Sequence, residues 1–402
     1  MRTVSLLLGT VLTRYSTSLY NFLAPLMGPI FFTEYTGIIQ LLLTYTASSV
    51  STCARPVGTY LFGVIAKRYS PQKALLYSLV GIGSSTTLIG CIPGYMSIGW
   101  GGPFLLLCVK FLQGACAAGE SMVTKLYCME NQSRDNALHV SYMYQSCAML
   151  GVIISSGVAT CIIYTCPYAW RVCFIISSMF AGIVYCMRLI EYDNNDMTMY
   201  RVNSYSTPLA TIRHHKKDVL CVTIVQLVSH VTYTIPFIFM NSFVPLITDI
   251  PMGTMMFSNT FLLIGDMVLV LWIGRYCVRY HPVYSMMVAC GVIGSSIIPL
   301  FYYMPGASYG YVMLVRLWIV LWGIVFLCPL NFWCNAVFTS SDKYFLIGIA
   351  SACAAFLGSI TTPLCMWLWY ITKLSYAPAL YIACIMMCCL YVLSRFHRII
   401  CY

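Results

Sequence analysis

Apolar residues run along this chain in long blocks, separated by short polar connections. A helix needs roughly 20 apolar residues to cross a bilayer, and twelve stretches reach that length. They cover about 4–32, 36–66, 73–98, 102–126, 138–164, 168–190, 219–247, 252–276, 283–304, 308–330, 344–372 and 376–394. The one long polar interruption, 191–218, reads EYDNNDMTMYRVNSYSTPLATIRHHKKD. The pattern therefore predicts an all-α membrane protein of twelve transmembrane helices. It divides into an N-terminal half 1–190, a linker 191–218 and a C-terminal half 219–402. The opening TVSLLLG after Arg2 has the look of a signal peptide, but the apolar run continues too long and lacks a small-residue cleavage site, so it reads as a retained first span.

Composition agrees. Hydrophobic residues make up 60% of the 402 and charged residues only 8%, where soluble domains carry about 25% charged. The net charge of +11 points to nucleic acid in a soluble protein; here it follows the connections. With the N-terminus in the cytoplasm, Lys67, Arg68, Lys73, Arg134, Arg188, Arg201, Arg213, Lys216, Lys217, Arg275, Arg279, Lys343, Arg395 and Arg398 fall inside, while Arg171 and Lys373 fall outside. Cytoplasmic loops gather Lys and Arg, so both termini and the linker are expected on the cytoplasmic side of a multi-pass protein of the inner membrane.

The 21 cysteines lie mostly within apolar runs, without paired CxxC or zinc-type spacing. They read as small hydrophobes, and no metal or cofactor is expected. The chain carries no P-loop, HExxH or Gly-x-Ser-x-Gly, which argues against an ATP-driven pump and against an enzyme.

An internal repeat links the halves. LFGVIAKRYSP after the second span and WIGRYCVRYHP after the eighth share Gly, four residues, Arg-Tyr, one residue and Pro. The matched residues are Gly63, Arg68, Tyr69 and Pro71 against Gly274, Arg279, Tyr280 and Pro282, an offset of 211. The fourth and tenth spans each hold a cation near the same depth, Lys110 and Arg316. Two six-span halves in one orientation form the architecture of major facilitator transporters.

The motifs support that family. RPVGTYLFGVIAKRYSPQKAL resembles the loop after the second span of major facilitator proteins, and Arg55, Pro56, Gly58, Phe62 and Gly63 are similar to the metabolite:proton symporter branch, which includes proline/betaine and α-ketoglutarate permeases. KFLQGACAAGE, with Gln113, Gly114, Gly119 and Glu120, resembles that branch's fourth span; WRVCF followed by RLIE resembles its sixth; and Gly9, Tyr15, Tyr20 and Phe22 follow its first. The resemblance implies a secondary active transporter that works by alternating access. Its structural or gating positions would be Arg55, Gly58, Gly63, Arg68, Glu120, Gly274 and Arg279. The departures are specific. Lys67 stands where the loop motif has its gating Asp, Ser70 where it has Gly, and Pro71 where it has a basic residue. The first span's acidic pair is replaced by Thr13 and Ser16, which leaves proton coupling open.

Charged residues inside spans are few enough to weigh singly. Arg14 lies about ten residues in, near the midplane, where substrate sites lie in this fold. Its guanidinium suits a carboxylate through a bidentate fork; the bland reading is that it snorkels or bonds to neighbours such as Tyr15 and Ser16. Glu120 is the one acid buried in the N-terminal half, and Arg55 shares its depth, so the two are expected to pair. A bridge between Asp266 and Arg316 is left open by their axial offset. Tyr20, Asn21, Gln145, Tyr233, Asn241 and Asn259 are polar or amphipathic residues suited to lining a cavity. GACAAG and the small residues of 348–358 read as helix-packing stripes. The basic run 214–217 reads as a solvated or lipid-facing face, and Trp100, Trp170, Trp367 and Trp369 as interfacial aromatics.

Four intramembrane cations, Arg14, Arg55, Lys110 and Arg316, face two acids, Glu120 and Asp266. The excess favours an organic anion such as a dicarboxylate over a proline- or betaine-like zwitterion. Expected partners are that solute, a coupling proton or other ion and membrane lipid, without nucleic acid, for a monomer. The rival reading is a non-transporting receptor or sensor built on the same fold.

Overall fold

The structure is a computed structural model that describes residues 2–129, 134–193, 212–277, 282–338 and 343–396. The chain forms two compact units, Met1–Pro208 and Leu209–Tyr402.

The first unit contains α1 (Arg2–Phe22), α2 (Ala24–Phe31), α3 (Gly37–Cys53), α4 (Arg55–Arg68), α5 (Pro71–Cys91), the short α6 (Tyr95–Ile98), α7 (Gly101–Met129), α8 (Arg134–Thr165) and α9 (Trp170–Asp193). The second contains α10 (Lys216–Thr234), α11 (Met240–Ile247), α12 (Met252–Cys277), α13 (Pro282–Tyr302), α14 (Tyr309–Val337), α15 (Lys343–Thr372) and α16 (Ala377–Phe396). Three expected spans are interrupted. The first breaks at Leu23 before Pro25, and the second at Ala54 before Pro56. Proline removes an amide from the helical ladder. In the seventh a wide turn, Ile235–Phe239, joins α10 to α11 around Pro236. Joined across these breaks, the helices make twelve bilayer-length segments. Ten, among the described residues, are individually long and apolar enough to cross a membrane. The first segment falls short of that measure because α1 carries Arg2, Arg14 and many Ser and Thr residues, and the second because its helices, of 17 and 14 residues, are each too short.

Those hydroxyls cost little. Thr10, Thr13, Ser16 and Thr17 each donate to the carbonyl four residues earlier, as do Thr44 and Thr46. Such back-bonding satisfies a polar group within its own helix.

The fourth span is packed tightly on the second. A Cβ at Gly114 would overlap the Ser51 carbonyl, and one at Gly58 would overlap the Ala115 carbonyl. The backbones approach because both residues lack side chains, as the small-residue stripes suggested. The departures in the loop motif also find a local use. Ser70 caps α5 by accepting from the Lys73 amide at 3.2 Å, and Pro71 is the first helical residue, a strong helix-start pairing.

The second unit is built around a continuous apolar core that includes Phe239, Phe243, Phe301, Phe326 and Trp333. One expectation fails at the surface. Trp170 is buried, edge-on to Phe31 at 6.2 Å and Phe174 at 6.1 Å, with the Arg171 guanidinium 4.6 Å from its ring. It anchors the start of α9 instead of facing lipid. Trp100 and Trp367 are exposed.

Candidate functional site

The N-terminal unit holds one closed charge centre. Glu120 on α7 is 1% exposed, and both of its oxygens are taken by Arg188 of α9: Nη2 to Oε1 at 2.5 Å and Nη1 to Oε2 at 2.9 Å. Ser78 of α5 donates to Oε2 at 2.9 Å and Thr124 to Oε1 at 3.4 Å. Arg188 also donates to the Leu75 carbonyl and to the Ser5 carbonyl of α1. Gly9 makes the room, since a Cβ there would overlap the Arg188 guanidinium. This centre corrects two expectations. Glu120 does not pair with Arg55, and Arg188 is not a loop cation but a buried one, 6% exposed. Span depth is shared by several residues, and the helix face presented to the neighbour chooses among them. The signal lay in RLIE, where Arg188 interrupts an apolar run.

Losing Glu120 to Arg188 leaves Arg55 without its expected partner. Arg55 begins α4, and its Nε is buried with no hydrogen-bond partner. Arg14 of α1 and Tyr144 of α8 act on it electrostatically. Arg14 is half-buried, and its Cβ lies against Gly151 of α8. Among the described residues neither arginine has an acid within 4 Å. Arg14 and Arg55, from α1 and α4, are thus two cations of this unit without an ion-paired acid among the described residues.

The two remaining cations are held by neutral groups. Lys110 is 1% exposed; it donates to Gln113 Oε1 at 3.0 Å and lies 4.1 Å from the centre of the Tyr20 ring. Gln113 in turn donates to Thr86 at 3.0 Å and to the Ser16 carbonyl at 3.5 Å, and the Ser16 hydroxyl meets Ser177 at 2.8 Å. In the second unit the fully buried Arg316 donates to Asn259 Oδ1 at 2.5 Å and Asn241 Oδ1 at 3.0 Å, and to Ser258 and the Met255 carbonyl at 3.4 Å. Asp266 makes no ion pair with it; the ion pairs of the described residues are Arg188–Glu120 and His215–Asp218.

These contacts reassign several candidates. Tyr20 and Asn241 are buried and committed to Lys110 and Arg316, so they hold structure instead of lining an open cavity. Asn21 is half-buried and bonded to Ser48. Tyr233 is half-buried, its ring 5.1 Å from Phe237. Asp266 is 6% exposed on α12. Gly58 is a contact point with α7, Gly63 lies within α4 and Arg68 is exposed over Tyr69. Arg279 and the side-chain surroundings of Gln145 and Gly274 lie outside the described residues. Gln113 and Ser177 were missed as parts of the Lys110 network, although Gln113 lies one turn after Lys110 on the same face.

A fold of this kind has been solved. The crystal structure of a D-xylose-proton symporter superposes with a TM-score of 0.76, covering 98% of this chain and 97% of that one at 12% identity. A structure described as the major facilitator superfamily proton:xylose symporter XylE gives 0.69 over 98% of this chain at 14% identity. The chain has the major facilitator fold. No family model matches it. In sequence the chain is similar to the proline/betaine transporter of Salmonella typhimurium, 27% identical over 176 residues, or 42% of this chain and 35% of that protein. It is also similar to the citrate-proton symporter of Salmonella typhi, 25% over 186 residues, 45% of this chain and 43% of that one. A third relative is the Escherichia coli inner membrane metabolite transport protein YhjE, 29% identical over 199 residues, 48% and 45%. The matches thus span less than half of these relatives' lengths.

Proposed function

We propose that this chain is a secondary active transporter of a small organic anion, working as a monomer in the inner membrane with both termini in the cytoplasm. The halves 1–190 and 219–402, joined by the linker 191–218, would alternate access to a site near the midplane. The reading rests on Arg14 and Arg55, two cations of the N-terminal unit of which Arg14 acts electrostatically on Arg55, neither having an acid within 4 Å among the described residues. Bringing like charges together away from water is unfavourable, and a carboxylate arriving between them relieves the repulsion. Arginine meets carboxylates through two parallel hydrogen bonds. Asn21, Gln145 and Tyr233 remain candidate contacts beside the arginines.

Among the relatives, one is named for proline and betaine, which are zwitterions, and one for citrate, an anion carried with a proton. The unneutralised arginines favour the anion. A proton is the proposed coupling ion. At the positions of the missing first-span acids, Thr13 and Ser16 are bonded to their own helix, so they offer no ionisable group, and Asp266 remains in the C-terminal half for that role. Uptake of citrate, α-ketoglutarate, proline and betaine into proteoliposomes tests the reading. Carboxylate uptake that is lost in Arg14→Gln and competed poorly by the methyl ester supports it. Binding without flux would favour a sensor, and uptake unaffected by Arg14→Gln would remove the arginine pair from the site.

A further inference from the structure

Lys373 is one of the two basic residues that the charge pattern leaves on the outer side, and transport gives it no work. It follows the last residue of α15 and has a backbone φ of 57°. Its amide closes the helix by donating to the Trp369 carbonyl at 2.8 Å. Helices commonly end this way on glycine, which takes left-handed backbone without steric cost. A lysine here is strained, so its side chain deserves an account that backbone geometry does not supply.

That side chain lies at a cavity of about 390 Å³ in the C-terminal unit, within the roughly 300–1,000 Å³ of small-ligand sites. Trp369, Tyr302 and Tyr376 form aromatic walls, the two tyrosine rings 5.9 Å apart, and Ile247 and Pro305 complete the lining. The Lys373 ammonium lies 4.4 Å from the Tyr370 ring and 5.8 Å from that of Trp369. Among the described residues it has no acid within 4 Å. The mouth adjoins apolar surface. Ile371 and Leu374 are exposed beside it, and Leu380, Cys384, Met387 and Tyr391 form an exposed ridge along α16 at helical spacing.

We propose that this cavity binds the phosphate of an anionic phospholipid of the phosphatidylglycerol class, with an acyl chain lying along the α16 ridge. The charge is complementary: one unopposed ammonium, with no carboxylate among the cavity residues to receive a lipid's own ammonium. Tyrosine and tryptophan at a bilayer interface offer donors at head-group level while their rings stay in the apolar layer. Ile371 and Leu374 at the cavity and the α16 ridge beyond it offer an acyl chain a continuous apolar path that a soluble anion would not use. The inference is independent of which solute is carried.

Full-length protein, stripped of lipid in detergent, is titrated with short-chain phosphatidylglycerol and phosphatidylcholine. Binding is read by native mass spectrometry and by the shift in unfolding temperature. Phosphatidylglycerol should bind more tightly, and Lys373→Gln should weaken it about fivefold, the effect of one basic residue at an anionic surface. Lys373→Gly accepts the left-handed backbone freely; it should unfold no earlier than the parent without lipid and lose the same preference, which separates binding from folding. Equal binding of the two lipids, unchanged binding in Lys373→Gln, or equal protection by glycerophosphoglycerol without chains would each overturn the proposal.

Discussion

The N-terminal unit contains two groups of buried charge that differ in one respect. Around Glu120 every carboxylate oxygen is met, by Arg188, Ser78 and Thr124, and the arginine reaches two backbone carbonyls as well. Around Arg14 and Arg55 the charges are both positive, and Arg55 Nε has no hydrogen-bond partner. A saturated pair ties α1, α5, α7 and α9 together and has nothing left for a ligand. An unsaturated pair costs stability unless something else arrives. The same contrast separates the halves at their fourth spans. Arg316 has two amide oxygens within 3.0 Å, whereas Lys110 has one and an aromatic face.

Breaking the closed centre should have the largest effect. Removing one member of a buried ion pair leaves a bare charge and costs roughly 3–5 kcal/mol. Glu120→Gln should therefore sharply lower the yield of folded protein and its unfolding temperature in detergent, and Arg55→Gln should not. Combining Glu120→Gln with Arg188→Met should recover part of the loss. Equal damage from Arg55→Gln and Glu120→Gln would return Glu120 to Arg55.

At the fourth-span cation of the second half, Arg316→Met strands the Asn241 and Asn259 oxygens, and a buried unsatisfied acceptor costs about 1–3 kcal/mol. The expected destabilisation is about 2–3 kcal/mol in a thermal or denaturant melt. Additional restoration of stability by Asn259→Leu in that background would identify the stranded amide as the cause.

For the open pair the effect should appear in transport and leave the fold alone. A charge-assisted contact is worth about 1.5–3 kcal/mol, so Arg14→Gln should weaken carboxylate uptake roughly 10- to 150-fold, with expression nearly unchanged. Arg14→Lys should restore part of it, because a point charge lacks the fork. A drop in folded yield as large as that of Glu120→Gln would mean that Arg14 is structural.

The smallest change is expected at Lys110. Its replacement by Met gives up one hydrogen bond and a cation–π contact but also ends the burial of an ammonium, and Gln113 keeps its bond to Thr86. Losing that charge-assisted bond and leaving Gln113 Oε1 without its donor costs about 1–3 kcal/mol, and ending the burial of an ammonium returns several kcal/mol, so the net loss of stability should be under about 1 kcal/mol. A loss as large as that of Arg316→Met would show that the two halves use their cations alike.

The helical architecture was legible in the chain because span length and small-residue stripes are one-dimensional signals. The twelve apolar blocks need only counting. The breaks inside spans were less visible, although Pro25, Pro56 and Pro236 stand at each of them. Tyr20 and Asn241 looked like cavity residues because polarity within a span is the same mark for a ligand contact and for a ligand of a buried cation.

By itself, then, the sequence determined that more cations than acids enter the membrane, and that Glu120 must find a partner among them. Which cation it finds was decided only by the tertiary structure. Position along a span reports depth, but not the direction in which a side chain leaves its helix or the helix standing opposite. Arg55 was the cation that axial position offered to Glu120; α9 packs so that Arg188 reaches past Gly9 to both carboxylate oxygens, and Arg55 keeps a buried Nε with no hydrogen-bond partner.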